Sequence, residues 1–333
     1  MTSITTPARA IPLPLRRLLH ARESGVFAAL VALFVLGVVL SPSFAQSDNL
    51  LSVGQQIAQI GIMAAGVTFV ILNGEIDLSV GSIYALSAIS TGMLISNGWS
   101  WPLAMLAGLV VGVLAGLLNG LAVVVLGVPS FIVTLGTLSV FRGLALLISD
   151  GAPISLSSSQ PGVAEFNLLG QGELFGLIPM QFVIFAVVAA IGVVLLSRSR
   201  FGFNTYAVGG NQEAARLVGV NVKRVKLTAF VLSGFTAALA GVLGLSFLSY
   251  VQGVTGQGME LTVISAVIIG GAALFGGSGT MWGTVIGVAF IGLLQNILNI
   301  KGISSFWQTV VTGLVIVAAV AADTWQRRRK TRA

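Results

Sequence analysis

No cysteine and a single histidine, His20, occur in this sequence. Disulfides are therefore excluded, as are thiolate chemistry, Cys/His metal sites and Cys/His nucleophiles. A serine–histidine–aspartate triad fails as well, because His20 lies outside every long apolar run and reads as an interface residue. Charge is scarce too: only 8% of the 333 residues are Asp, Glu, Lys or Arg, against roughly 25% in a soluble domain. What is there instead is apolar, with 56% hydrophobic residues and a mean hydropathy of +1.00. A spanning helix needs about 20 mostly apolar residues, and lipid leaves its backbone no partner outside the helix. The fold class is therefore all-α, a polytopic membrane protein.

The apolar segments predict about ten spans. They run near Gly25–Leu40, Leu51–Leu72, Ile76–Ser96, Leu103–Leu126, Phe131–Ser149, Met180–Ser197, Leu227–Tyr250, Leu261–Phe275, Thr280–Ile300 and Phe306–Ala322, with no room for a soluble domain between them. An even number places both termini on one side, together with the segment 198–226. Those three regions hold all but two of the 17 Lys and Arg, whereas the longest opposite loop, 150–178, has Asp150, Glu165 and Glu173 and no basic residue. This bias places both termini in the cytoplasm. It is also a better account of the terminal "QRRRKTR" than a nucleic-acid patch, and nucleic acid is not an expected partner. Arg16, Arg17 and Arg22 precede an apolar run ending in "SPSFAQ", which also resembles a cleaved signal peptide; retention as a first span is the preferred expectation, because the run is long and starts late. The expected organisation is a cytoplasmic segment 1–24, a transmembrane domain 25–322 and a cytoplasmic basic tail 323–333.

Internal matches suggest a repeat. Gly108 and Gly112 in "GLVVGVLAG" align with Gly283 and Gly287 in "GTVIGVAFI". At the same offset, "GVPSFIVTLGTL" meets "GISSFWQTVVTG", pairing Phe131 with Phe306 and Thr134 with Thr309. "DLSV" at Asp77 answers "ELTV" at Glu260. The copies, about 51–149 and 227–322, are five predicted spans apart and so cross the membrane in opposite directions, an inverted-topology repeat. Substrate paths in such folds follow the repeat interface, beside helix starts with free N–H groups.

Asp77 and Glu260 are each expected to begin such a helix. Two readings remain: a carboxylate capping free N–H groups at a helix start, or an ionisable group lining a polar path. Glu75 aligns with Gly258 in the second copy and is expected to face solvent or a partner. Gln55, Gln56, Gln59, Asn119, Gln295, Asn296 and Asn299 are the intramembrane amides, either interhelical glue or path lining. The candidate pathway set is Asp77, Ser79, Asn119, Glu260, Thr262 and Asn296. Gly108, Gly112, Gly116 and Gly120, four apart, share one helix face and predict close helix packing with no chemistry. "GGAALFGGSG" at 270–279 is rich enough in glycine to suggest a phosphate cradle, but no Gly-Lys-Ser/Thr follows. A paired-aspartate protease site is unsupported, since Asp77 is the one Asp near a span interior. The chain is not expected to be an enzyme or to bind a metal or cofactor.

In "NQEAARLVG", Asn211 can cap a short helix over Glu213–Arg216 that Gly219 ends. Such a helix suits either an anionic lipid surface or another subunit. Here the sequence resembles the inner-membrane permeases of bacterial ATP-binding-cassette sugar importers of the ribose, xylose and arabinose type. The motifs are "GEIDLSVGS", "GVPSFIVTLGTLSVFRGLAL", "YAVGGNQEAARLVGVNVKRVK", "LFGGSGTMWGTVIGV" and "GISSFWQTVVTG", and the likeness runs from about residue 51 to 319. The resemblance implies a pathway subunit that pairs with a second permease chain, identical or paralogous. A periplasmic sugar-binding protein would deliver substrate, and a cytoplasmic ATP-binding subunit would carry ATP and Mg. It assigns Gly210, Asn211, Glu213, Ala214, Ala215 and Arg216 to ATPase coupling, and the 150–178 segment to seating the binding protein. Asn73-Gly74-Glu75 departs from the family's common Gly-Gly-Ile run, which touches only the local turn. The competing expectation is a stand-alone ion-coupled transporter or channel using Asp77 or Glu260.

Overall fold

The computed structural model describes residues 24–331. The expectations placed on His20, on the rest of the N-terminal segment and on the cleaved-signal alternative lie outside those residues. The α-helices run in chain order as α1 (Ser24–Leu40), α2 (Ser47–Leu72), α3 (Val80–Ser96), α4 (Trp101–Val124), α5 (Ser130–Ile148), α6 (Val163–Gln171), α7 (Met180–Arg198), α8 (Arg200–Gly210), α9 (Gln212–Leu217), α10 (Val222–Leu248), α11 (Met259–Ile269), α12 (Met281–Ile300) and α13 (Ser305–Thr331). Four two-residue strands are confined to connections: β1 (Ile154–Ser155) pairs antiparallel with β4 (Tyr250–Val251), and β2 (Glu173–Leu174) with β3 (Ile178–Pro179).

Six of these helices, α2, α4, α5, α7, α10 and α12, are long and apolar enough to cross a membrane, and α1, α3 and α11 are shorter apolar helices. Two of the expected spans are corrected. The span from Ile76 begins as a helix only at Val80. The span Leu261–Phe275 is helical only over Met259–Ile269. Eleven residues at about 1.5 Å each fall well short of a hydrocarbon core of about 30 Å. The helix stops because Gly271, two residues past its last turn, adopts positive φ, a conformation that ends a right-handed helix, and Gly276 and Gly277 at positive φ keep the following stretch non-helical. The segment 198–226 is likewise structured, containing α8, α9 and the first turn of α10.

The core is built around α2 and α10, whose buried residues lie on every side. A helix apolar all round belongs in the middle of the protein, and α2 from Ile60 to Leu72, where Thr68 is the one polar residue, is buried throughout. α4, α5 and α7 form the outer wall, with rows of exposed Leu, Val and Ile. Such a surface is what a lipid-facing helix presents.

The predicted glycine face of α4 is where the centre and wall meet. A methyl group on Gly112 would overlap Ala238 of α10, one on Gly116 would overlap the Phe230 carbonyl, and one on Gly108 would overlap Thr91 of α3. In α12, Gly283 and Gly287 sit in the same way against Gly270 and Ala266 at the end of α11. Removing Cβ lets backbones touch, which is how helices gain contact energy where lipid gives no hydrophobic drive. We predict that Gly116→Leu destabilises the detergent-solubilised protein by about 1–3 kcal/mol or more. Gly136→Leu, whose added Cβ meets nothing within 4 Å, should leave the thermal midpoint unchanged.

Candidate functional site

The short helix predicted over Glu213–Arg216 is present as α9. Asn211 caps it, its Oδ1 accepting from the Ala214 N–H at 3.0 Å, and Gly219 follows at φ +86° with its N–H on the Arg216 carbonyl. Ala215 is the buried anchor, in a small apolar cluster with Val208, Val222 and Val225. Glu213, Ala214 and Arg216 point outward, and Leu217 and Val218 are 89% and 78% exposed. Two bare apolar side chains beside a capped helix with both charge signs make a surface suited to another protein.

The platform beneath α9 is held in two ways. The first is backbone contact: Gly209 lies against the Leu72 carbonyl at the end of α2, and a Cβ on Gly277 would come within 2.8 Å of Gly210. The Gly277 N–H donates to that same Leu72 carbonyl at 2.9 Å, and Tyr206 Oη donates to the Gly279 carbonyl at 2.7 Å. The glycine-rich run that superficially suggested a phosphate cradle is thus a packing loop under α8 and α9. The second is ionic. Lys226 of α10 donates from Nζ to Glu75 and, at 3.0 Å, to Gln212 Oε1 of α9. Glu75 was expected to face solvent or a partner; it is instead an intramolecular ion pair, only 13% exposed. It needs that partner because a carboxylate so far removed from water is costly alone.

Glu75 is two residues from Asp77. Asp77 was expected to start α3, but it precedes the helix by three positions. Its Oδ1 accepts from the Ser79 N–H at 2.9 Å and from Ser79 Oγ at 2.6 Å, while Oδ2 accepts from Ser233 Oγ of α10 at 2.7 Å. Asn119 of α4 donates to Ser79 Oγ at 2.8 Å. Asp77, Ser79, Asn119 and Ser233 are fully buried and join the α3 start to α4 and α10. On the same turn, the Ile76 N–H donates to Ser130 Oγ and its carbonyl accepts from Thr134 Oγ1 of α5. Ser233 was not singled out in the sequence, since one serine in "FVLSGF" carries no pattern of its own.

The other pathway candidates are elsewhere. Glu260 is the second residue of α11, behind Gly258 at φ +85°, with Oε1 accepting from the Gly258 N–H at 3.1 Å. A Cβ on Gly81 would overlap Glu260 Oε2 and the Gly256 carbonyl, so the starts of α3 and α11 meet. Arg142 of α5, within electrostatic reach of Glu260, donates to the Gly253 and Thr255 carbonyls at 2.8 and 2.6 Å. Thr262 only bonds back to the Gly258 carbonyl. Asn296 forms a reciprocal amide pair with Asn49, at 2.9 and 3.0 Å, joining α12 to α2. That arrangement is the interhelical glue reading in physical form.

This geometry defines a multi-pass membrane protein with an exposed, capped helix tied to its spans through Gln212, Lys226 and Glu75. The model of the branched-chain amino acid transport system permease component family matches residues 49–320. The chain belongs to that family. It is 43% identical to the ribose import permease protein RbsC of Bacillus subtilis, over 91% of this chain and 92% of that one. It is 38% identical to the L-arabinose transport system permease protein AraH of Escherichia coli, over 92% of each. It is 36% identical to the autoinducer 2 import system permease protein LsrC of an Enterobacter species, over 96% of this chain and 91% of that one.

Glu75→Gln is predicted to leave the Lys226 ammonium without its counter-charge and to lower stability by about 1–3 kcal/mol. In a double-mutant cycle with Lys226→Met the two losses should not add, and additive losses would show that the pair is not coupled.

Proposed function

We propose that this chain is the permease subunit of an ATP-binding-cassette importer for a monosaccharide, with ATP and Mg bound and hydrolysed on a separate cytoplasmic subunit. The observation that carries this reading is α9, an exposed capped helix whose Gln212 is tied through Lys226 to Glu75, beside the turn that holds Asp77. A push on α9 has a short, stiff route into the bundle. The ribose, arabinose and autoinducer 2 permeases at 36–43% identity support the substrate class.

In this reading α9 faces the cytoplasm, as do both termini, and the chain lies in a bacterial inner membrane with about ten crossings. Two such chains, identical or paralogous, pair around the pathway. A periplasmic binding protein docks near the 150–178 connection, where β1, α6 and the β2–β3 ribbon build a surface over the ends of α7 and α10. The matched starts of α3 and α11, with their glycine-packed followers α4 and α12, support an inverted repeat. ATP-driven closure moves α9, and the turn at Glu75–Ser79 shifts α3 against α10. The pathway then alternates between its two sides. Gly210, Asn211, Ala214 and Ala215 shape and seat α9, while Glu213 and Arg216 make its charged contacts.

The first test is affinity purification of the tagged chain from its native membrane with mass spectrometry of its companions. An ATP-binding subunit should copurify, and Glu213→Ala with Arg216→Ala should remove it while leaving membrane insertion intact. Unchanged association would end the coupling assignment, and absence of any ATPase would favour an ion-coupled transporter.

Asp77→Asn replaces an acceptor of three hydrogen bonds by a group with one acceptor oxygen and two donors. Transport should fall at least tenfold with the complex still assembled, whereas wild-type uptake would leave Asp77 with a purely structural role.

A further inference from the structure

The amides on α2 have a feature that interhelical glue does not account for. Ser52, Gln55, Gln56 and Gln59 sit one helical turn apart in two adjacent columns, 52 with 56 and 55 with 59, and with Phe247 and Leu248 of α10 they line a cavity of about 390 Å³. That volume falls in the range of small-molecule sites. The back of the cavity is fixed. Tyr84 Oη donates to Gln59 Oε1 at 2.9 Å, Gln59 Nε2 reaches Gln181 Oε1 at 3.4 Å, and Gln181 Nε2 reaches the Leu243 carbonyl at 3.3 Å. The front has capacity to spare. Gln56 is exposed and its amide bonds to no other described residue, Gln55 reaches only the Gly170 carbonyl at a long 3.5 Å, and Ser52 donates to the Asp48 carbonyl but keeps its acceptor lone pairs.

Hydrocarbon cannot satisfy an exposed glutamine within a spanning helix, so this face meets water or a polar ligand. Gln59 lies about 18 Å along α2 from Ser47, so the cavity reaches from the helix end toward the middle of the bundle. None of the six lining residues is ionisable, which disfavours an ion or a charged solute. Neutral donors and acceptors beside an aromatic and an aliphatic wall match a small polyhydroxylated molecule, whose ring has polar edges and apolar C–H faces. Each neutral hydrogen bond contributes only about 1 kcal/mol net, weak enough for a solute in transit.

We propose that this cavity is a transient sugar-binding site on the pathway, with Gln55, Gln56 and Ser52 contacting hydroxyl groups and Gln59 positioned by Tyr84 and Gln181. The proposal rests on the importer reading and adds to it a place and a ligand chemistry.

The natural absence of cysteine makes the test direct. Gln56→Cys and Ser52→Cys, each the sole thiol, are made in the full transporter with its ATPase and binding protein. Whole cells are treated with the membrane-impermeant anion sulfonatoethyl methanethiosulfonate, with and without D-ribose, L-arabinose or D-xylose, and modification is read by intact mass. Both thiols should be modified, and the transported sugar should slow modification of the Gln56→Cys variant at least threefold. Leu114→Cys, on the apolar outer face of α4, should stay unmodified. In parallel, Gln55→Leu and Gln56→Leu should each cut ATP-driven uptake about fivefold with the ATPase still copurifying. An unreactive Gln56→Cys thiol, modification that the transported sugar does not slow, or uptake loss accompanied by loss of the ATPase would each overturn the site. If the unmutated complex shows no ATP-driven uptake of these sugars, the importer reading fails, and the site assignment falls with it.

Discussion

Lipid offers no hydrogen-bond partner, so a polar group carried into the bundle is costly unless another part of the chain or a polar cavity answers it. The organisation of the molecule follows from meeting that demand with very few polar residues. Asp77 is the clearest case. Its carboxylate is fully buried, and hydroxyls from Ser79 and Ser233 and one backbone N–H take up its lone pairs. Satisfying one side chain therefore pins the start of α3 to α10, and Asn119 extends the pin to α4. Asn49 and Asn296 do the same for α2 and α12 with two amides. Polar groups act as rivets between elements whose surfaces are otherwise interchangeable hydrocarbon.

Between the rivets, packing depends on how closely backbones approach. The glycine face of α4 and its counterparts on α12 permit contacts that a single methyl would block. These two devices separate the bundle into parts with different freedom. α4 against α10 is a broad contact at close backbone distance, with glycine on α4 facing Phe230, Gly234 and Ala238 of α10. The turn from Asn73 to Ser79, by contrast, has no regular secondary structure beyond a tight bend. It is held by individual hydrogen bonds to α5 and α10 and by the Glu75 ion pair.

Most of the large-scale organisation was legible in the sequence, because period and polarity are strong signals when charge is so rare. The apolar helices, the glycine face of α4, the capped helix at Asn211 and its end at Gly219 could all be read from residue types and spacing. What could not be read depended on residues distant in the chain. Glu75 and Lys226 are 151 positions apart, and Asp77 and Ser233 are 156 apart, so no local pattern relates them. The shortness of α11 was hidden for a different reason. "VISAVIIGGAALF" is apolar throughout, and hydropathy does not register that its glycines adopt positive φ and turn the chain toward α8.

The ion pair also explains why the turn tolerates its unusual sequence. Asn73-Gly74-Glu75 puts a charge on a side chain only 13% exposed, and an isolated carboxylate there would oppose burial. Lys226 removes the objection, and because the same ammonium also bonds Gln212, the charge becomes a link between α9 and the turn. An apolar residue could fill the same space but could not transmit a directional pull, since dispersion contacts slide where a charged hydrogen bond must lengthen or break. The pair therefore stiffens the connection between α9 and the Asp77 turn, a non-helical stretch that also packs at Gly74 against the 275–276 loop.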